Sequence, residues 1–180
     1  MDTPYKTERE MYEPVRQWLR KYLNSHFKEA EVHLYEGAPT KLCNMIDLLD
    51  VSNDIPADWL SWQMVVDVVA SIRTLNEVFL VLVECKNDAL SIEDYAKFYG
   101  YAHIVKPRLA FLVSPQGIKS SLATLLKVYQ RLDILEYTHE PDRASRALVL
   151  ARWDANANAI DFASLITTDS QKVELNKVHR

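Results

Sequence analysis

The chain has 180 residues and a formal net charge of −4, with 48% hydrophobic and 26% charged residues. This composition suits a single globular domain with a sizeable core, and the negative charge excludes a highly basic protein that coats nucleic acid without selectivity. Free thiols, a polar N-terminus and the lack of an apolar run of about 20 residues favour a soluble, cytoplasmic protein with no membrane partner.

The first predicted element is a helix over residues 7–27, because apolar residues recur there at intervals of three and four. Its buried face would carry Met11, Val15, Trp18, Leu19 and Tyr22. Thr7 and Glu10 have the spacing of a capping box, and Pro14 indicates either a kink or a helix that restarts with proline in its first turn. In a continuous helix, Glu8 would lie on the buried stripe.

A strand over 31–37 and a helix over 41–51 come next. A polar connector then leads to a predicted hairpin at residues 65–87, VVDVVASIRTLNEVFLVLVECKN. Two apolar runs flank a turn in this stretch, yet it also contains charged side chains, which are rarely buried without a partner or a metal.

A helix over 91–105 follows, with Ser91 and Asp94 at capping spacing and Pro107 beyond its end. The remaining predicted elements are a strand at 108–114, a helix at 115–132, and short strands at 133–139 and 146–154. The inner face of the second of these helices would carry Leu122, Leu125, Leu126 and Tyr129. This order predicts an α/β fold with a mixed sheet and helices on both faces. Residues 1–180 would form one domain, with a core at about 7–155 and a polar appendage at about 156–180.

The register of the hairpin follows from the length of its turn. If the tetrapeptide TLNE forms the loop, Arg73 faces Val78, and counting inward places Asp67 opposite Glu84. Lys86 then points to the same face as Glu84. Two carboxylates in this position repel each other, so a divalent cation between them is one interpretation. Solvated residues at strand ends, or an ion-pair network with Lys86, remain the alternatives.

The segments VVDVVAS and FLVLVECK resemble the D…(D/E)-x-K signature of the PD-(D/E)xK nuclease superfamily, which includes restriction endonucleases and archaeal Holliday-junction resolvases. The order of elements is also similar, and the resemblance covers about residues 7–132. Val66 departs from the pattern, since the superfamily often has proline there. The resemblance implies a restriction-endonuclease-like fold and metal-dependent endonuclease cleavage of DNA, duplex or branched.

The resemblance also implies roles for individual residues. Asp67 and Glu84 would be metal ligands, together with the backbone carbonyl of Cys85. Lys86 would orient the attacking water and stabilise charge on the phosphate. Glu8, in the run TEREMYEPV, is similar to the glutamate that approaches the metal in resolvases; the alternative is an acidic residue at a helix start, which the helix dipole favours. The cofactor would be Mg²⁺, with Mn²⁺ able to substitute.

An alternative function is a catalytically inactive module of the same fold that binds nucleic acid or a protein partner. Many such nucleases are symmetric dimers, so a homodimer is a further hypothesis, with Trp59 and Trp62 either at the interface or packed in the core, for which their spacing is equally suited. Four basic residues would lie on the side of the predicted cleft, where they would contact phosphates: Lys97, Lys106, Arg108 and Lys119. Each is equally well explained as a solvated surface residue. Tyr95 and Tyr99 have the helical spacing of core residues.

Overall fold

A computed structural model describes residues 4–138 and 146–176 of the chain. Six strands form one mixed sheet in the order β1-β2-β3-β4-β5-β6. They are β1 (Glu31–Leu34), β2 (Val68–Arg73), β3 (Val78–Cys85), β4 (Leu109–Ser114), β5 (Val149–Asp154) and β6 (Ala159–Ile166). β3, β4 and β5 are parallel to one another, and the other neighbours are antiparallel.

The described residues also form five α-helices. They are α1 (Tyr12–His26), α2 (Leu42–Leu48), α3 (Ile92–Val105), α4 (Ser120–Ala123) and α5 (Asp169–Asn176). A 3₁₀ turn, Glu8–Met11, precedes α1, and a π turn, Thr124–Val128, continues α4. Within the described residues, no helix has the length and apolar character needed to cross a bilayer.

The sheet separates two apolar layers, which confirms the predicted mixed sheet with helices on both faces. α1 packs on one face, where its Leu19 belongs to the same buried cluster as Val81 and Val83 of β3. α2, α3 and α4 cover the other face, whose cluster includes Leu80 and Leu82 of the same strand. Side chains alternate along a strand. The next residue on the face of α3 is therefore Glu84.

The connection from β3 to the parallel strand β4 is α3, and its ends follow the sequence closely. Ser91 Oγ accepts a hydrogen bond from the backbone N–H of Asp94, while the Asp94 carboxylate accepts one from the N–H of Ser91. This capping box confirms the predicted start. Lys106 adopts a left-handed conformation at the other end, and Pro107 follows it.

Of the two predicted arrangements of residues 7–27, the structure has the helix that restarts with Pro14 in its first turn. The α-helix begins at Tyr12, so Pro14 lies in its first turn, where a missing N–H leaves no helical bond unmade. Thr7 makes no capping hydrogen bond through its side chain. The carboxylate of Glu10 accepts a hydrogen bond from the N–H of Lys6 instead, so the predicted capping box is wrong.

The segment after β4 is less regular than the sequence indicates. The helix predicted over 115–132 is confined to α4 and the π turn, and Tyr129 is 69% exposed rather than on the inner face. The strand predicted over 133–139 is a 3₁₀ turn, Leu132–Leu135, followed by one isolated bridge. Its last residue, His139, lies outside the described residues.

The C-terminal region is not the expected appendage. β6 pairs with β5, with Ile160 opposite Trp153, and both Ile160 and Ile166 are buried. Leu175 of α5 is buried in the cluster beneath α1. β6 is mostly apolar, but as an edge strand it buries only Ile160 and Ile166, and the polar residues that follow it obscured the strand pattern. Residues 177–180 lie outside the described part.

Candidate functional site

The hairpin has the register that the sequence predicts. Arg73 pairs with Val78, and the ladder runs inward to Val68 opposite Val83. Thr74 donates its backbone N–H to the carbonyl of Glu77, 2.9 Å away, and so closes the four-residue loop. Loop length fixes register in a hairpin, which is why one correct turn places the whole strand pair.

Asp67 lies one residue before the first paired residue of β2. Its Oδ2 accepts a hydrogen bond of 2.8 Å from the backbone N–H of Cys85, and the side chain is buried. The carboxylate therefore accepts the hydrogen bond of a backbone N–H just beyond the end of the hairpin ladder. Asp67 and Glu84 are at the same end of the strand pair, as predicted, and their charges interact.

Glu84 is the most deeply buried of the charged residues predicted for the site, with only 3% of its surface exposed. Its Oε1 lies 3.1 Å from Nζ of Lys86 and 3.3 Å from Nζ of Lys97. Its Oε2 is buried and has no hydrogen-bond partner among the described residues. Leaving a buried polar atom unsatisfied costs about 1–3 kcal/mol, and more for a charged group. Oε2 is thus a ready acceptor for a ligand.

Lys86 connects the predicted residues to one another. Besides Glu84, its Nζ contacts Oε1 of Glu8 at 3.2 Å and the carbonyl oxygen of Cys85 at 3.0 Å. Glu8 therefore joins the site through Lys86, although it lies in the 3₁₀ turn and not in α1. Burial alone would lower the pKa of Lys86, but the carboxylates of Glu84, Glu8 and Asp67 raise it overall. Lys86 is a fixed positive charge.

Tyr12 is a member of the site that the sequence did not indicate. Its hydroxyl lies 3.5 Å from Oε1 of Glu8 and also hydrogen-bonds the carboxylate of Asp67. Burial and the charge of Asp67 raise the pKa of Tyr12, so its hydroxyl keeps its proton and donates. The spacing of four residues between Glu8 and Tyr12 is the one signal that was present.

The surroundings of Asp67 disfavour the ionised form of its carboxyl group. Burial, and then the nearby charge of Glu84, raise the pKa of Asp67 from 3.8 to about 6, against the hydrogen bonds from Cys85 and Tyr12 and the charge of Lys86. Around neutral pH, three carboxylates face two lysines: Asp67, Glu84 and Glu8 against Lys86 and Lys97. The cluster carries one excess negative charge.

These residues fit a hard divalent cation of the Mg²⁺ type. No group of three or more His, Cys, Asp and Glu side chains within 4–138 and 146–176 is arranged to hold a metal. Mg²⁺ requires less, because it is bound through one or two carboxylates and completes its shell with water and phosphate oxygens. Asp67 and Glu84 would supply those carboxylates, and the carbonyl of Cys85 shares the contact with Lys86 Nζ that Glu84 makes. Burial raises the pKa of the Cys85 thiol, which therefore stays neutral.

The basic residues considered for phosphate contacts differ in position, and the two tyrosines contact the core. Lys97 is at the site, whereas Arg108 forms an ion pair with Glu174, and Lys106 ends α3. Tyr95 and Tyr99 pack against the core, as their spacing predicts, and donate their hydroxyls to backbone carbonyls.

The two tryptophans do not form an exposed pair. Trp62 is buried, and its indole N–H donates to the carboxylate of Asp58. Trp59 packs partly buried against the same core. The hypothesis that Trp62 lies at an interface is therefore wrong, because the connector folds back onto the sheet and buries this side chain.

Comparison of the chain with protein-family models, with curated proteins and with solved structures gave no match. The resemblance to PD-(D/E)xK nucleases stays a prediction from the hairpin motif.

Proposed function

We propose that this protein hydrolyses phosphodiester bonds of DNA and uses a divalent cation, Mg²⁺ or Mn²⁺, held by Asp67 and Glu84. The observation that carries this proposal is the buried, unpartnered Oε2 of Glu84. A carboxylate oxygen in that state, beside a second buried carboxylate and a fixed lysine, supports a site that is completed by a cation. The excess negative charge of the cluster supports the same conclusion.

The ligands of the proposed site have distinct origins. Asp67 comes from the start of β2 and Glu84 from the end of β3, so two adjacent strands fix both carboxylates. The carbonyl oxygen of Cys85 is the third protein ligand, and waters and a phosphate oxygen would complete the shell. When bound, a divalent cation polarises a phosphate and lowers the pKa of its water.

Lys86 supplies the positive charge of the proposed reaction. Three oxygen acceptors hold its Nζ, and its raised pKa keeps it protonated. We therefore assign it to orienting the attacking water and stabilising charge on the phosphate, and not to accepting a proton. Glu8 holds Lys86 in place, and Tyr12 holds Asp67.

A second candidate is a catalytically inactive module in which the same cluster is only an ion-pair network. The observation that favours it is that Lys86 and Lys97 both contact Oε1 of Glu84. Buried ion pairs of this kind occur for structural reasons. Such a network has no need of a metal, so metal binding distinguishes the two candidates.

Calorimetric titration with Mn²⁺ tests the proposal. The wild-type protein should bind the ion, and both Asp67→Asn and Glu84→Gln should lose most of that affinity. Asp47→Asn is a matched control, because it removes an exposed carboxylate from α2. Failure of the wild-type protein to bind Mn²⁺, or equal binding by Asp67→Asn, would leave the ion-pair network as the correct description.

A further inference from the structure

Two lysines contact the same oxygen of Glu84, but the structure holds them very differently. Lys86 is 18% exposed and has three oxygen acceptors, namely Glu84, Glu8 and the carbonyl of Cys85. Lys97 comes from α3, is 51% exposed, and contacts Oε1 of Glu84 at 3.3 Å. Its Nζ also lies 5.5 Å from the centre of the Tyr101 ring. Lys97 is the less constrained of the two.

A cation bound to Glu84 would change this balance. The bound cation and the ammonium groups of Lys86 and Lys97 would then all contact one carboxylate. Positive charges only a few ångströms apart repel one another strongly where water is scarce. Lys86 keeps the carboxylate of Glu8 as an acceptor if its contact with Glu84 weakens. Lys97 has its four-carbon stem and open solvent on one side, so it moves at the lowest cost.

Resting on the proposed function, we propose that Lys97 is a displaceable counter-ion: it neutralises Glu84 until a divalent cation binds, and then binds a phosphate of the DNA strand. Its position supports both roles. The ammonium group of Lys97 lies beside the carboxylate of Glu84, to which the cation would bind, at the solvent-facing rim of the site. An ammonium group on a flexible side chain is also a common ligand of phosphate. The ring of Tyr101 keeps the released side chain near the rim.

The counter-ion role is tested without DNA and without catalysis. Lys97→Ala and Lys97→Gln remove a positive charge that competes with the metal, so both should bind Mn²⁺ several-fold more tightly than the wild-type protein in calorimetry. Lys97→Arg should stay close to wild type. Lys21→Ala is the matched control, because it removes an exposed lysine from the C-terminal half of α1, away from Tyr12 and Glu8.

The phosphate role is tested by DNA binding in Mn²⁺, with Lys86→Ala as the background so that the DNA stays intact. Fluorescence anisotropy of a labelled duplex across a salt series gives the slope of log affinity against log salt. Each neutralised phosphate adds about 0.9 to the magnitude of this slope. Lys97→Ala should lower the magnitude by about one and weaken binding, whereas Lys21→Ala should change neither.

The outcomes separate this inference from the function on which it rests. A wild-type protein that binds no Mn²⁺ refutes the proposed function itself. A wild-type protein that binds Mn²⁺ with the same affinity as Lys97→Ala overturns the counter-ion role and leaves the proposed function standing. An unchanged salt slope overturns the phosphate role in the same way.

Discussion

The carboxylate of Asp67 accepts a hydrogen bond from the backbone N–H of Cys85, 2.8 Å away across the hairpin. This bond ends the ladder between β2 and β3 and fixes a buried carboxylate beside Glu84. The carbonyl of the same residue, Cys85, accepts a hydrogen bond from Lys86. One peptide segment therefore positions a carboxylate, an ammonium group and a backbone oxygen at a single point.

Replacing Asp67 should stabilise the metal-free protein at high pH. Burial and the charge of Glu84 raise the pKa of Asp67 from 3.8 to about 6, so the folded state binds this proton more tightly than the unfolded state does. The resulting stability is present below the unfolded pKa and is lost as the pH rises through about 6. Asp67→Asn should therefore raise the free energy of unfolding by about 1–3 kcal/mol at high pH, and by much less near the unfolded pKa.

Urea unfolding with a chelator present, at high pH and near the unfolded pKa of 3.8, measures the difference in free energy of unfolding between Asp67→Asn and the wild-type protein. Asp47→Asn should change stability by less than about 0.5 kcal/mol at either pH, as exposed substitutions do. An Asp67→Asn effect of the same size at both pH values would contradict the electrostatic description of the site.

Metal affinity should depend on pH through the same carboxyl group. A cation needs the ionised form of Asp67, so below the raised pKa of about 6 a proton competes with the metal. We expect the affinity for Mn²⁺ to be constant well above that pKa and to fall about ten-fold per pH unit below it. Calorimetry across this range measures the dependence, and an affinity that stays flat down to the unfolded pKa of 3.8 would show that Asp67 is not a ligand.

Lys86 should be essential for cleavage and dispensable for folding. Its Nζ is held beside the proposed metal ligands, so Lys86→Ala should lower the cleavage rate by about 10²–10³-fold, the loss typical of a missing electrostatic stabiliser. Circular dichroism should remain close to wild type, and the variant should still bind Mn²⁺. Full cleavage by Lys86→Ala would refute its assignment, and Lys21→Ala controls for the loss of one positive charge.

β6 should contribute to the stability of the sheet. Ile160 is buried and pairs with Trp153 of β5, so Ile160→Ala should lower the free energy of unfolding by about 2–4 kcal/mol. Phe162, on the same strand but 45% exposed, is the control, and Phe162→Ala should cost less than about 1 kcal/mol. Equal small losses from both variants in urea unfolding would indicate that β6 is a dispensable appendage.

The central hairpin and its charged end were predictable because local rules determine them. Four turn residues set the register, and alternation along each strand then places Asp67 and Glu84 at one end. The capping box at Ser91 is equally local. Each of these features depends on residues close together in sequence, and each follows the same rules in any fold.

The contacts between layers were not predictable in the same way. Tyr12 reaches Asp67 only because α1 packs on one face of the sheet, and Lys97 reaches Glu84 only because α3 packs on the other. β6 gave a weak sequence signal because an edge strand buries few side chains, and its assignment needs the partner strand β5. These contacts depend on the geometry of packing, which no short sequence pattern records.

DNA cleavage tests the proposed function most directly. Linear, branched, flapped and single-stranded DNA should be incubated with the wild-type protein in Mg²⁺ or Mn²⁺, beside chelator, Asp67→Asn and Lys86→Ala reactions. The proposed function predicts that the wild-type protein cuts at least one of these substrates only when metal is present, and that both variants fail to cut it. Cleavage by Asp67→Asn at the wild-type rate, or no cleavage of any substrate by a wild-type protein that is folded and loaded with metal, would contradict it.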